Sequence, residues 1–164
     1  MSQEILNAIE QCRGMVLGYL KGIPDARAAE QPAGQVNHPA WTLGHLLLVE
    51  NGVVHTLSGK AAVELPANWQ ELYGMGSKPT SNRAAYQPLE YYVSNFKKTR
   101  AAMVDVIKSY KPEDLEKPFP DEKLRAFLPT IGRAVLFAGL VHEGYHAGQI
   151  ASWRKAMGLP SVGM

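Results

Sequence analysis

The segment His142-Glu143-Gly144-Tyr145-His146 sets two imidazoles four residues apart. On a helix, positions i and i+4 share one face a turn apart, so the two rings can grip one ion. Neutral imidazole is a good ligand for zinc, nickel, copper or iron. A third ligand has to come from a facing segment. His45 lies in Trp41-Thr42-Leu43-Gly44-His45-Leu46, where an imidazole in apolar surroundings needs a partner for at least one ring nitrogen. A lone histidine in an apolar helix is ordinarily a core residue with one hydrogen bond. Three inward histidines on two helices would instead be three buried polar groups competing for partners, unless they share an ion. The spacing therefore points to one divalent metal held by His45, His142 and His146.

The same segment matches the H-E-x-x-H pattern of zinc peptidases, whose glutamate is the general base. Two features oppose that reading. No Asp, Glu or His follows His146, and no strand pattern precedes the motif to hold a peptide. Glu143 is rotated about 100° from His142 around a helix, so it is expected to be a solvated or supporting carboxylate rather than a catalytic base. His38 is expected to cap a helix and His55 to be peripheral. Cys12 falls on an apolar stripe and reads as a small core residue. Gly74-Met75-Gly76-Ser77-Lys78 follows no strand and is too weak for a phosphate loop. No Ser-His-Asp arrangement is supported, and no arginine stands out as a substrate anchor.

These residues need helices to position them, and four segments have helical periodicity. The first covers about 2–20, with Ile5, Ile9, Cys12, Val16 and Tyr19 in one stripe. The second covers about 38–58. Asn37 or His38 would cap it, Pro39 suits its first turn, Gly59 ends it, and it is apolar nearly all round. The third covers about 88–110, with Leu89, Tyr92, Phe96, Met103 and Ile107 on one face. The fourth covers about 130–157, with Thr130 as N-cap and Gly158 at its stop. Two long connections, 59–87 and 111–129, show no strand alternation. Loops this long are uncommon unless functional, and they are expected to cover one end of the helices. The fold expected is all-α, a four-helix bundle in a single domain spanning 1–164.

Composition fits that reading. The 164 residues are 46% hydrophobic and 20% charged, enough apolar side chain for a core. The net charge of +2 is scattered, without the basic stripe that nucleic acid would require, so no nucleic-acid partner is expected. One cysteine rules out an internal disulfide framework and a cysteine-based zinc knuckle. The first residues lack a signal-peptide pattern, and the longest apolar runs are too short for a bilayer. A cytoplasmic protein without a membrane partner is the expectation.

Asn37-His38-Pro39-Ala40-Trp41-Thr42-Leu43-Gly44-His45-Leu46 resembles the W-x-x-G-H signature of the DinB superfamily. Pro129-Thr130-Ile131-Gly132, followed by His142-x-x-x-His146-x-Gly148-Gln149-Ile150, resembles its second signature. The resemblance covers essentially the whole chain. It implies an up-down-down-up bundle with a long crossover, and a metal site carried by His45, His142 and His146. It also implies zinc or nickel as the ion, a homodimer, and a small-molecule substrate. Some members are thiol-dependent transferases or isomerases that use a low-molecular-weight thiol, such as bacillithiol or mycothiol. The resemblance thus leaves open an enzyme that activates water or a thiol, as a hydrolase or S-transferase, or a non-catalytic metal- or small-molecule-binding bundle. The family name refers to induction by damage and implies no DNA binding.

Overall fold

The computed structural model describes residues 3–162; Ser2, the expected start of the first helix, lies outside them. Those residues are helical, without a strand, apart from one isolated bridge between Pro118 and Thr130. The helices are α1 (Gln3–Leu20), α2 (Pro39–Ser58), the short α3 (Trp69–Tyr73), α4 (Leu89–Ser109), α5 (Ile131–Leu136) and α6 (His142–Ala156). Single 3-10 turns occupy parts of the connections.

Helix ends follow local chemistry. The Nδ1 of His38 accepts from the Trp41 backbone N–H at 3.2 Å, which caps α2 just before Pro39. Gly59 closes α2 at φ 75°, a left-handed conformation that costs glycine little. Thr130 Oγ1 accepts from the Arg133 N–H and caps α5.

The expected fourth helix is not one uninterrupted α-helix. Residues Phe137–Val141 form a π-turn that joins α5 to α6. Gly139 accounts for the local crowding there. A Cβ at that position would lie 3.0 Å from Ile9 and 3.1 Å from Met103, so α1 and α4 approach the backbone itself. The wider π-turn also shifts the register just before His142.

Helix α1 packs on α6, and α2 packs on α4, α3 and α6. Two large apolar clusters fill most of the interior, and a smaller one of Phe119, Leu128 and Ala134 packs against Phe137. One large cluster gathers Val16, Leu43, Leu47, Phe96, Ala147, Ile150 and Trp153, and the other gathers Ile9, Val53, Val54, Met103, Ile107, Val135 and Ala138. A buried ionic layer lies between the two clusters along every long helix. Arg13 comes from α1, Glu50 from α2, Thr99 and Arg100 from α4, and Glu143 from α6, each at most 5% exposed.

Each charge in the layer is matched. Arg13 Nη2 reaches Glu50 Oε2 at 2.8 Å and Arg100 Nε reaches Glu50 Oε1 at 2.8 Å. Both guanidiniums also bond the Glu143 carboxylate. Their remaining N–H groups donate to the Phe96 and Ile9 carbonyls, at 3.0 and 2.6 Å. Two cations and two anions with their protons and lone pairs occupied meet the condition under which a buried charge cluster is tolerated. The flanking guanidiniums hold the Glu50 carboxyl below its usual range, against the opposing effect of burial.

Candidate metal centre

His45 projects from α2, and His142 and His146 from one face of α6. The Nε2 of His142 lies 3.1 Å from the Nε2 of His45 and 3.1 Å from the Nε2 of His146. One ligating nitrogen from each ring falls within 4.8 Å of the others. Three nitrogens around a tetrahedral ion with arms of about 2.05 Å would stand about 3.3 Å apart, close to the 3.1 Å of the His142–His45 and His142–His146 pairs. Among the described residues, this is the group of ligating side chains close enough together to hold one ion.

Neighbours fix which nitrogen of two rings is free. His45 Nδ1 lies 2.7 Å from the Tyr73 carbonyl, which can only accept, so Nδ1 carries the proton and Nε2 a lone pair. His146 Nδ1 donates to Gln149 Oε1 at 2.8 Å, and Asn37 Nδ2 holds the same oxygen at 3.1 Å. His146 Nε2 is therefore also a bare lone pair. His142 Nδ1 is buried without a partner. A proton on His142 Nε2 could satisfy only one of the two facing lone pairs. The donor set is thus electron-rich and short of a cation. Burial, reinforced by the neighbouring imidazoles, pushes His142 down to about 3 and His146 to about 4, and burial also lowers His45. The rings are neutral at pH 7, the form that ligates a metal.

The W-x-x-G-H segment has a steric basis. Trp41 stacks on His45 with centroids 4.8 Å apart. Its indole N–H is held by the Leu72 carbonyl and Ser77 Oγ, at 3.1 and 2.9 Å. A Cβ on Gly44 would fall 2.1 Å from the ring of Tyr73. Glycine there lets α3 press against α2, and that contact delivers the Tyr73 carbonyl to His45. Tyr73 is fully buried and bonds the Tyr92 hydroxyl. The long connection 59–87 thus carries the carbonyl that fixes the His45 tautomer.

Glu143 is not solvated. It is 0% exposed, and both of its oxygens are engaged by Arg13 and Arg100 in the ionic layer. The H-E-x-x-H match therefore gives no general base. Helix geometry sends Glu143 inward to the ionic layer while His142 and His146 face α2. Arg100 is likewise buried. The legible signal was a charge standing on each apolar stripe: Arg13 four residues after Ile9, Glu50 inside the apolar second helix, Arg100 four residues after Phe96. His38 caps α2 and donates from Nε2 to the Thr80 carbonyl at 3.0 Å, and His55 is exposed. Cys12 is buried, and burial pushes its thiol up to about 11, so it is a core residue.

Among the described residues, two signature segments on helices bring three histidines together in a cluster that could hold a metal ion. The family model of the DinB superfamily matches residues 8–150, and the chain belongs to that superfamily. No curated protein and no solved structure matches the chain.

Proposed function

We propose that this protein binds one divalent ion through the Nε2 atoms of His45, His142 and His146, with zinc or nickel as the ion. We further propose that it is a metal-dependent enzyme acting on a small molecule. The observation that carries the reading is the convergence of the three nitrogens, with two of their tautomers set by the Tyr73 carbonyl and Gln149. A divalent ion with three protein ligands keeps a position open and lowers the pKa of a water or thiol placed there. The chain's part is to present neutral imidazoles, to hold His45 and His146 in ligating tautomers, and to keep carboxylates out of the donor set. Hydrolysis and transfer of a low-molecular-weight thiol both fit this chemistry.

The reading extends to architecture. The order in which each long helix passes from one apolar cluster through the ionic layer to the other supports an up-down-down-up bundle. Among the described residues no helix is long and apolar enough to cross a membrane; a cytoplasmic location is proposed. A homodimer is proposed as the assembly, to be checked by sedimentation at micromolar concentration.

The test replaces each of the three histidines by alanine and measures metal content and thermal unfolding. Each variant should lose most bound metal yet remain folded, because the apolar clusters and the ionic layer hold the helices together. Full metal content in His45→Ala would refute the three-ligand site. Loss of metal together with unfolding in every variant would make the ion structural and remove the support for an enzyme.

A further inference from the structure

The rings of His142 and His146 are backed by aromatic side chains that are incompletely covered. Phe137 stacks on His142 at 5.0 Å, and Phe127 meets the edge of Phe137 at 4.8 Å. Tyr145 meets His146 edge-on at 5.1 Å. Phe127, Val141 and Tyr145 are 65%, 61% and 64% exposed, although each is a large apolar or aromatic side chain. Phe137, Val141 and Tyr145 recur every four residues along the π-turn and α6, so they form one strip. The strip lies one residue behind the histidine pair in the sequence and is rotated by about 100° from it.

The same helical segment therefore has three distinct sides. Glu143 faces the ionic layer, His142 and His146 face α2, and the aromatic strip faces solvent. The side chains bonded to or stacked on the three histidines are Trp41, Phe137, Tyr145 and Gln149, with the Tyr73 carbonyl, and none is charged. An anionic group such as phosphate would find no positive partner among them. These side chains offer an exposed apolar surface that a ligand could cover. Because its rings touch the ligand histidines, whatever covers this patch lies beside the ion.

We propose that the strip of Phe127, Phe137, Val141 and Tyr145 is a substrate wall, which takes the aryl or comparably apolar group of an uncharged small molecule whose reacting end meets the metal. This rests on the three-histidine reading above. Phe137 is the inner ring, fixed against His142, and Phe127 and Tyr145 form the outer edges. The specificity-determining residues are thus Phe127 and Tyr145, which ligate nothing and belong to no core cluster.

The test uses two chelating probes on the zinc-loaded chain, acetohydroxamate and benzohydroxamate. They offer the ion the same group and differ in the ring. Calorimetric titration should give benzohydroxamate at least about tenfold the affinity of acetohydroxamate, the scale expected for covering one phenyl ring. Phe127→Ala combined with Tyr145→Ala should bring the two probes within about threefold, with acetohydroxamate affinity and zinc content unchanged. Equal affinities in the unaltered protein would overturn the wall while leaving the open metal position intact. Failure of both probes to bind the zinc-loaded chain would overturn the open position and the wall with it. Failure to load zinc would refute the metal site first. If the double variant instead converts a dimer to a monomer in sedimentation, the strip is covered by a second copy and the substrate wall is wrong.

Discussion

Replacing Glu143 by glutamine should destabilise the protein strongly without touching the histidines. The side chain keeps its shape and loses its charge. Arg13 and Arg100 then share the single carboxylate of Glu50 in a layer where each of the four groups is at most 5% exposed. Breaking a buried ion pair from one side costs about 3–5 kcal/mol, because the partner charge stays buried without compensation. In a chain of this size each kcal/mol shifts the melting midpoint by about 2–4 °C, so a loss on the order of 10–15 °C is expected. Glu143→Leu combined with Arg13→Met removes one charge of each sign and leaves the 2.8 Å pair of Arg100 and Glu50 in place. That double variant should be more stable than Glu143→Leu alone, and the double-mutant cycle completed by Arg13→Met reads the coupling. Urea unfolding measures both, and zinc content measured well below the midpoint should stay near that of the unaltered chain. A Glu143→Gln protein within about 1 kcal/mol of the original would refute the ionic-layer argument. The opposite pattern, intact stability with lost hydrolysis, is what a catalytic base would give.

Two further outcomes are expected. Gly44→Ala should lower stability by about 1–3 kcal/mol through overpacking, since its Cβ would sit 2.1 Å from the Tyr73 ring, and zinc affinity should fall as the Tyr73 carbonyl leaves His45; unchanged affinity in a metal titration would show that α3 does not position that ring. His38, which burial pushes down to about 4, is neutral in the fold but charged in the unfolded chain below about 6.5. The unfolded state therefore binds more protons in that window, and stability must fall as pH drops from about 6.5 to about 4 and be complete above it. His38→Asn keeps an N-cap side chain and should remove about 2–3 kcal/mol of that acid sensitivity; parallel unfolding curves for the two proteins from pH 7 to 4 would refute the assignment.

Much of the site was legible because it is local. A spacing of four residues on a helix is a fixed geometry, so His142 and His146 had to share a face wherever that helix lay. The apolar setting of His45, the His38 cap before Pro39, and the stops at Gly59 and Gly158 likewise depend on a few neighbouring residues. The π-turn was not legible; its Gly139 lies against Ile9 and Met103, side chains from two other helices that a local reading does not bring together. Nor was the contact that fixes His45, since the Tyr73 carbonyl is 28 residues away and arrives on a short helix with little intrinsic signal. Glu143 shows the division most sharply. Its angle to His142 followed from helical periodicity, but its partners Arg13 and Arg100 lie 130 and 43 residues distant. A carboxylate's role depends on which charges reach it and whether water does. Only the packing of four helices, with two apolar clusters sealing the layer between them, made Glu143 a buried counter-ion rather than a base.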